Sequence, residues 1–241
     1  MAIAYPLEVP TETNIAQITL RGEDAIAFAQ SPFTFENETI EYSGQSWSAT
    51  VQIPTVQRDL AEPWVAFLLS LNGPTGTFLL GDPTGEAPRG SALIPSPAEP
   101  DWILFDGTWD DTGSWYDSEV WIDSDEPPDV LVDGASQTGD TLDVKSLPLS
   151  RTNVFRAGDY IQLGSGSTAR LHKILTDTNS DSEGKATLDI WPSLRSSPSN
   201  DDVVTIKDAK GVFRLATGQQ AWSINSSDVY NITFEAIEDV S

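Results

Sequence analysis

Alternation of apolar and polar side chains is the feature that most limits the fold of this chain. In residues 46–53 every second side chain is apolar, and the same holds for residues 230–236. The apolar members of the first segment are Trp47, Ala49, Val51 and Ile53. A period of two with one polar face is typical of a half-buried antiparallel strand. The sequence therefore predicts a mainly β protein.

Six short apolar runs between residues 130 and 210 predict a second group of strands. Clusters of Gly, Asn, Asp, Ser and Pro separate the runs, which lie at residues 130–132, 141–144, 160–163, 169–175, 186–190 and 203–206. Short, evenly spaced strands of this kind favour a small closed barrel over an open sheet. Residues 211–215 then look like a return to the first group. We therefore predict a discontinuous domain of residues 1–90 and 211–241, an inserted arm at 91–129 and a barrel at 130–210.

One segment, residues 59–72, has helical spacing instead. Its apolar stripe consists of Leu60, Trp64, Phe67, Leu68 and Leu71. We expect Asp59 to cap the helix, with Glu62 completing a capping box and Pro63 in the first turn. Gly73 and the following proline would end it. This is the one convincing helix in the sequence.

Charge and cysteine content exclude several classes of protein. The 241 residues include 37 acidic and 13 basic side chains, a net charge of −24, and no cysteine. Phosphate binding needs clustered Lys and Arg, so we expect no nucleic-acid partner. Disulfides and thiolate zinc sites are excluded. No apolar run approaches the roughly 20 residues that cross a bilayer, and the first residues do not resemble a signal peptide, so we expect no membrane insertion.

Nothing in the sequence points to catalysis or to a cofactor. His172 is the one histidine, and no pattern marks a nucleophile or an orienting acid for it. We interpret it as a structural or surface residue. Residues 164–167 are rich in Gly and Ser but lack the lysine and the following helix of a phosphate-binding loop, so they predict a turn. We expect a protein that is not an enzyme, with no cofactor and no bound metal.

The predicted arm carries an acidic, tryptophan-rich repeat. Residues 90–144 contain 14 acidic residues and no Lys or Arg. Within this stretch three tryptophans recur every six residues, each closely followed by an aspartate; these candidate interaction residues are Trp109, Trp115, Trp121, Asp110, Asp117 and Asp123. The rings could form the small core of a hairpin. Alternatively, they could stack on sugar rings, or the carboxylates could hold a divalent cation.

Seven short motifs carry a resemblance to a known protein family. The most specific are Phe-Leu-Leu-Gly-Asp-Pro at 78–83 and Ala-Gly-Asp-Tyr-Ile-Gln-Leu at 157–163. The others lie at 30–34, 62–71, 88–90, 188–192 and 210–215. In order and spacing these motifs resemble the distal tail protein family of long-tailed, siphovirus-type bacteriophages, and the resemblance covers residues 1–90 and 130–241. The acidic arm departs from the family pattern, and it could contact a neighbouring tail protein or a host-surface glycan.

The resemblance implies a structural role in the virion. Such proteins form a ring, usually a homohexamer, at the distal end of the tail between the tail tube protein and the tail-tip hub. They combine a tube-like split β-barrel, carrying one helix, with an inserted OB- or galectin-like barrel. The protein would be made in the cytoplasm of the bacterial host and be located in the virion. The alternative function is a carbohydrate-binding β module for adhesion to the host surface.

A long segment between Leu20 and Ile40 is the candidate for ring contacts. We interpret it as an exposed loop that carries Phe28, Phe33 and Phe35. Aromatic side chains serve both interfaces and cores. The phenylalanines could therefore contact a neighbouring subunit or plug the barrel of their own subunit.

Overall fold

The computed structural model describes residues 3–11, 13–93, 129–224 and 228–240. In chain order the strands are β1 Leu7–Glu8, β2 Gln17–Gln30, β3 Asn37–Gln52, β4 Val56–Gln57, β5 Thr77–Gly81, β6 Val130–Val132, β7 Gly139–Lys145, β8 Tyr160–Leu163, β9 Arg170–Ile174, β10 Ala186–Leu194, β11 Val203–Thr205, β12 Lys210–Leu215, β13 Trp222–Ile224 and β14 Val229–Glu238. Helix α1 spans Arg58–Ser70, and short 3-10 turns lie at Gly73–Thr75 and Gly166–Thr168. The predicted mainly β class is confirmed.

The first group of strands forms one sheet in the order β1-β5-β12-β14-β3-β2. Strand β1 pairs in parallel with β5, and the other neighbours are antiparallel. The early part of β14 pairs instead with β4 and β13. Helix α1 packs most of its predicted apolar stripe on this sheet, with the ring of Trp64 6.2 Å from that of Phe234 and the ring of Phe67 5.5 Å from that of Phe78. Leu60, at the start of the stripe, is exposed instead. These contacts form the first hydrophobic core.

The second group of strands closes into a barrel in the order β10-β7-β6-β11-β8-β9. Its strands come from residues 130–205, and those of the sheet come from residues 7–81 and 210–238. The barrel has its own core, which includes Val132, Leu142, Ile161, Ile174 and Leu188. The predicted closed barrel is confirmed. Its OB- or galectin-like identity and the split-barrel identity of the sheet stay predictions, as do the domain boundaries.

The alternating segments bury the faces that the sequence predicts. Trp47, Ala49, Val51 and Ile53 are all buried. In β14 the even-numbered residues from Tyr230 to Ala236 are buried and the odd-numbered ones between them are exposed. Residues 211–215 return to the sheet as β12, which pairs with both β5 and β14. Residues 164–167 form the predicted turn between β8 and β9.

The predicted start of the helix was wrong. Helix α1 begins at Arg58, its N-cap is Gln57, and no side chain caps it. Asp59 lies in the first turn and Glu62 forms an ion pair with Arg58, at 3.2 Å, instead of completing a capping box. Pro63 is consequently the sixth helical residue and lies beyond the first turn. The preceding strand β4 explains the difference, because its pairing with β14 delivers the chain directly into the helix.

The segment between Leu20 and Ile40 is not a loop. Strands β2 and β3 pair continuously from Gln17↔Gln52 to Gln30↔Asn37, apart from one shift in register, and form a long β-hairpin. Its phenylalanines are exposed, so the alternative that they plug a barrel was also wrong. No helix of the described part of the chain is long and apolar enough to cross a membrane.

Candidate functional site

The outer part of the long hairpin, residues 26–41, projects from the protein and is called the distal hairpin here. Every residue in it is exposed except Ser31, which is partly buried. The exposed fractions of Phe28, Phe33 and Phe35 are 64%, 92% and 73%. Several large apolar side chains exposed on one short segment are typical of a surface that contacts another molecule.

Both faces of the distal hairpin carry apolar residues. Side chains that are directly opposite in an antiparallel pair lie on the same face. Phe28 pairs with Thr39, and Ile26, two residues earlier on the same face, pairs with Glu41. Ala27 pairs with Ile40 on the opposite face. The hairpin therefore presents apolar surface on two sides.

The tip of the hairpin is a tight turn held by Ser31. Its N–H donates to Glu36 O at 2.9 Å, and its carbonyl accepts from Phe35 N, also at 2.9 Å. Phe35 has a φ of 57°, in the left-handed region that a non-glycine residue rarely adopts. The turn places the side chains of Phe33 and Phe35 at the extreme end of the hairpin.

A shift in register separates the distal hairpin from its base. Asp24 pairs with Gln45, but Ile26 pairs with Glu41, so β3 contains two extra residues at this point. Irregularities of this kind bend a strand and change the direction of the side chains beyond it. The shift marks the point where the hairpin leaves the protein surface.

Two tryptophans, one from the barrel and one from the hairpin, join the base of the hairpin to the barrel. Trp191 of β10 packs edge-on against Trp47 of β3, with ring centroids 4.5 Å apart and an interplanar angle of 88°. Its Nε1–H donates to Asp24 Oδ1 at 2.9 Å, and Nε1–H of Trp47 donates to Leu171 O at 2.9 Å. Gly22 leaves room for the Trp191 ring, because a Cβ there would lie 2.6 Å from it.

Polar contacts fix the same junction. Gln45 Oε1 accepts hydrogen bonds from both the backbone N–H and the hydroxyl of Ser193, at 2.7 and 2.8 Å. Arg195 donates to Gln45 O and to the carboxylate of Glu238. Strands β2, β3 and β14 of the sheet and strands β9 and β10 of the barrel thus meet at the base of the hairpin. The base is held by these contacts with the barrel, whereas the distal hairpin is exposed.

The hairpin is acidic from Gly22 onward. Residues 22–57 contain no Lys or Arg, and their carboxylates are Glu23, Asp24, Glu36, Glu38 and Glu41. Two such hairpins repel each other at low ionic strength, and salt screens this repulsion. Charge thus opposes a contact between copies that the apolar residues favour.

The structure brings together the three predicted contact residues, Phe28, Phe33 and Phe35, on the distal hairpin. Sequence reasoning missed three further exposed apolar residues, which are Ile26, Ile40 and Tyr42. The alternation of alanine with larger residues in 25–29 was a strand signal that could have revealed them. Trp109, Trp115, Trp121, Asp110, Asp117 and Asp123 of the predicted arm lie outside the described residues.

His172 lies on β9 inside the junction and is 4% exposed. It is thus a buried residue and not a surface one. Its Nδ1 is 2.7 Å from Pro192 O, which fixes the orientation of the ring. Among the described residues no group of three or more His, Asp and Glu side chains is arranged to hold a metal ion.

Comparison with known proteins gives no identification. No protein-family model matches the chain. No curated protein matches it either. The resemblance to distal tail proteins therefore stays a prediction, and the hairpin has to be interpreted from its own chemistry.

Proposed function

We propose that this protein is a structural virion protein, a distal-tail ring subunit that connects the tail tube of a long-tailed bacteriophage to the tail-tip hub. The observation that carries the proposal is the distal hairpin, which has apolar residues on both faces and a base held by contacts with the barrel. The motifs that resemble the distal tail family indicate that the assembly is the ring at the distal end of the tail. A non-catalytic role in assembly is consistent with the exposed hairpin and with these motifs.

An isolated two-stranded hairpin is marginally stable in water. The distal hairpin has no packing layer on either face within the described part of the chain. Counting from Asp24 to Gln30, β2 alone reaches about 20 Å beyond the anchor at a rise of roughly 3.3 Å per residue. A ribbon of this length with exposed phenylalanines is suited to a contact with another chain.

The outer edge of the sheet could also form a contact between subunits of a ring. Its order ends at β1 on one side and β2 on the other, and the outer edge of β2 has no strand partner among the described residues. Exposed edge strands pair readily with strands of other chains. If β2 of one subunit contacts a different surface of the next, the interface is heterologous, and such interfaces close into rings when the rotation permits.

The distal hairpin can be tested by substitution. We propose comparing the wild-type protein with a triple variant, Phe28→Ser, Phe33→Ser and Phe35→Ser, by mass measurement in solution and negative-stain imaging. A matched control replaces three exposed leucines elsewhere with serine: Leu60, Leu69 and Leu149, which are 43%, 57% and 52% exposed. Both variants remove three exposed apolar side chains. A difference between them therefore reports the effect of the location of these side chains on the distal hairpin.

We expect rings from the wild-type and control proteins and monomers from the hairpin variant. A wild-type protein that stays monomeric with tail tube and hub proteins present would overturn the proposal. The location is tested separately by antibody labelling of intact virions. Label at the distal end of the tail is expected, and label at the head or along the tube would exclude the proposed position.

A further inference from the structure

A cavity of about 210 Å³ lies where the barrel meets the sheet. The turn between β8 and β9, the chain after β10 and the end of β14 surround it. His172 of β9 and Pro192 of β10 contribute to its wall. The cavity is separate from the distal hairpin and involves none of its residues.

The protonation state of His172 determines what this cavity can bind. Its Nδ1 faces Pro192 O at 2.7 Å, and a carbonyl oxygen only accepts, so Nδ1 carries the proton. Burial lowers the pKa of His172 to about 4, and the charges of Arg195 and Arg170 lower it as well. The ring is therefore neutral near pH 7, and Nε2 is an acceptor.

Nε2 of His172 has no hydrogen-bond partner among the described residues. Two polar side-chain atoms of the described residues are fully enclosed without a hydrogen-bond partner, Nε1 of Trp64 and Oγ of Ser91. Nε2 of His172 is not one of them, so it retains some access to solvent. His172 lines the cavity, and its Nδ1 is taken by Pro192 O, so we infer that Nε2 faces this space. A ligand has to offer a hydrogen-bond donor there.

The charged residues of the wall balance one another. They are Arg170, Arg195, Asp202 and Glu238. Two guanidinium groups disfavour a cation, and the two carboxylates together with the lone pair of His172 disfavour a fully ionised oxyanion. A neutral hydroxyl group suits this wall, because it donates a hydrogen bond to Nε2 and accepts one from a guanidinium N–H.

We propose that this cavity binds a small neutral polyol, of the size of one monosaccharide unit. Its volume lies below the roughly 300–1,000 Å³ of sites for drug-sized ligands, so a single small unit fits and an oligosaccharide would extend out of it. The proposal does not depend on ring formation, because every protomer contains the complete cavity. In a ring it would give each subunit one such site.

Isothermal titration calorimetry tests the proposal on the full chain. The probes are glucose, galactose, N-acetylglucosamine, rhamnose and glycerol, with sodium phosphate as the anionic probe. Ser196→Phe fills the cavity from its wall, and Ser199→Phe places the same side chain on the same loop outside the cavity. Because Ser196 is exposed, we expect the variant to fold, and Ser197→Phe is a second filling variant.

We expect at least one sugar or glycerol to bind once per chain, to bind equally to Ser199→Phe, and to bind at least about tenfold more weakly to both filling variants. The bound ligand should also shift the Nε2 nitrogen signal of His172, which is the one histidine in the chain. Absence of binding by every polyol overturns the proposal. Binding that the filling variants retain, or binding of phosphate alone, overturns it too.

Discussion

Arg195 and Glu238 form a two-point ion pair across the junction between the barrel and the sheet. The distances from Nη1 to Oε1 and from Nη2 to Oε2 are both 3.0 Å. The side chain of Glu238 is 2% exposed, and its Oε2 also accepts the backbone N–H of Trp47 at 3.0 Å. This carboxylate connects the end of β14, the base of the hairpin and the barrel.

Removing the arginine should therefore destabilise the protein strongly. Arg195→Met leaves a buried carboxylate without its counter-charge, and we expect the free energy of unfolding in urea to fall by about 3 kcal/mol. Adding Glu238→Gln should restore part of the loss, because glutamine keeps an acceptor for Trp47 N–H without the charge. Arg58→Met, in the exposed pair with Glu62, should cost less than about 0.5 kcal/mol. Equal losses for the two single variants would contradict this account.

Gly22 should tolerate no side chain. A Cβ there would meet the Trp191 ring at 2.6 Å, so Gly22→Ala should displace the indole and weaken its hydrogen bond to Asp24. We expect a loss of about 1–3 kcal/mol in the free energy of unfolding, as for other overpacked sites. Gly218→Ala is the matched control, since its nearest neighbour is Pro74 Cδ at 3.9 Å. If Gly22→Ala left the free energy of unfolding unchanged, the position of the Trp191 ring beside residue 22 would not matter for stability.

Salt should strengthen self-association of the distal hairpin. Its carboxylates, among them Glu36, Glu38 and Glu41, face no Lys or Arg of the same hairpin. The Debye screening length falls from about 30 Å at 0.01 M salt to about 8 Å at 0.15 M, so the repulsion between copies should fall over this range. Sedimentation of the protein at increasing NaCl measures the effect. The hairpin triple variant should show no such response, and wild-type assembly that weakens with salt would exclude the hairpin contact.

His172 should make stability depend on pH. Burial lowers its folded-state pKa from 6.5 to about 4, so the unfolded chain binds the proton more tightly. The stability of the fold with a neutral His172 is complete above about pH 6.5 and is lost as the pH falls towards 4. The free energy of unfolding should therefore fall by about 2 kcal/mol between pH 7.5 and pH 5. An NMR titration of the one histidine should give a midpoint near 4. A midpoint near 6.5 would mean that the ring is accessible to water in the folded protein.

Local patterns were enough to predict much of the secondary structure. The alternation around Trp47 and Tyr230 identified strands and their buried faces, since successive side chains of a strand point to opposite sides. The stripe containing Trp64 and Phe67 identified the one helix of the described residues. The start of that helix was missed because it depends on the pairing of β4 with β14, which no local pattern reports.

The candidate site was only partly predictable. Phe28, Phe33 and Phe35 were identified as contact residues, but their segment was interpreted as a loop. The anchor at Asp24 and Trp191 could not be predicted, because these residues are 167 positions apart in the chain. Nothing local distinguishes Gly22 from a glycine in a turn.

Neighbouring residues were enough to predict short amphipathic strands, helix α1 and a separate barrel, because the hydrophobic period of each segment is a local property. Contacts between distant segments were needed to show that the phenylalanine segment is a projecting hairpin, that Trp191 and Arg195 hold its base, and that His172 lines a cavity. These features come from contacts between distant segments. Their geometry exists only once the barrel and the sheet have packed together.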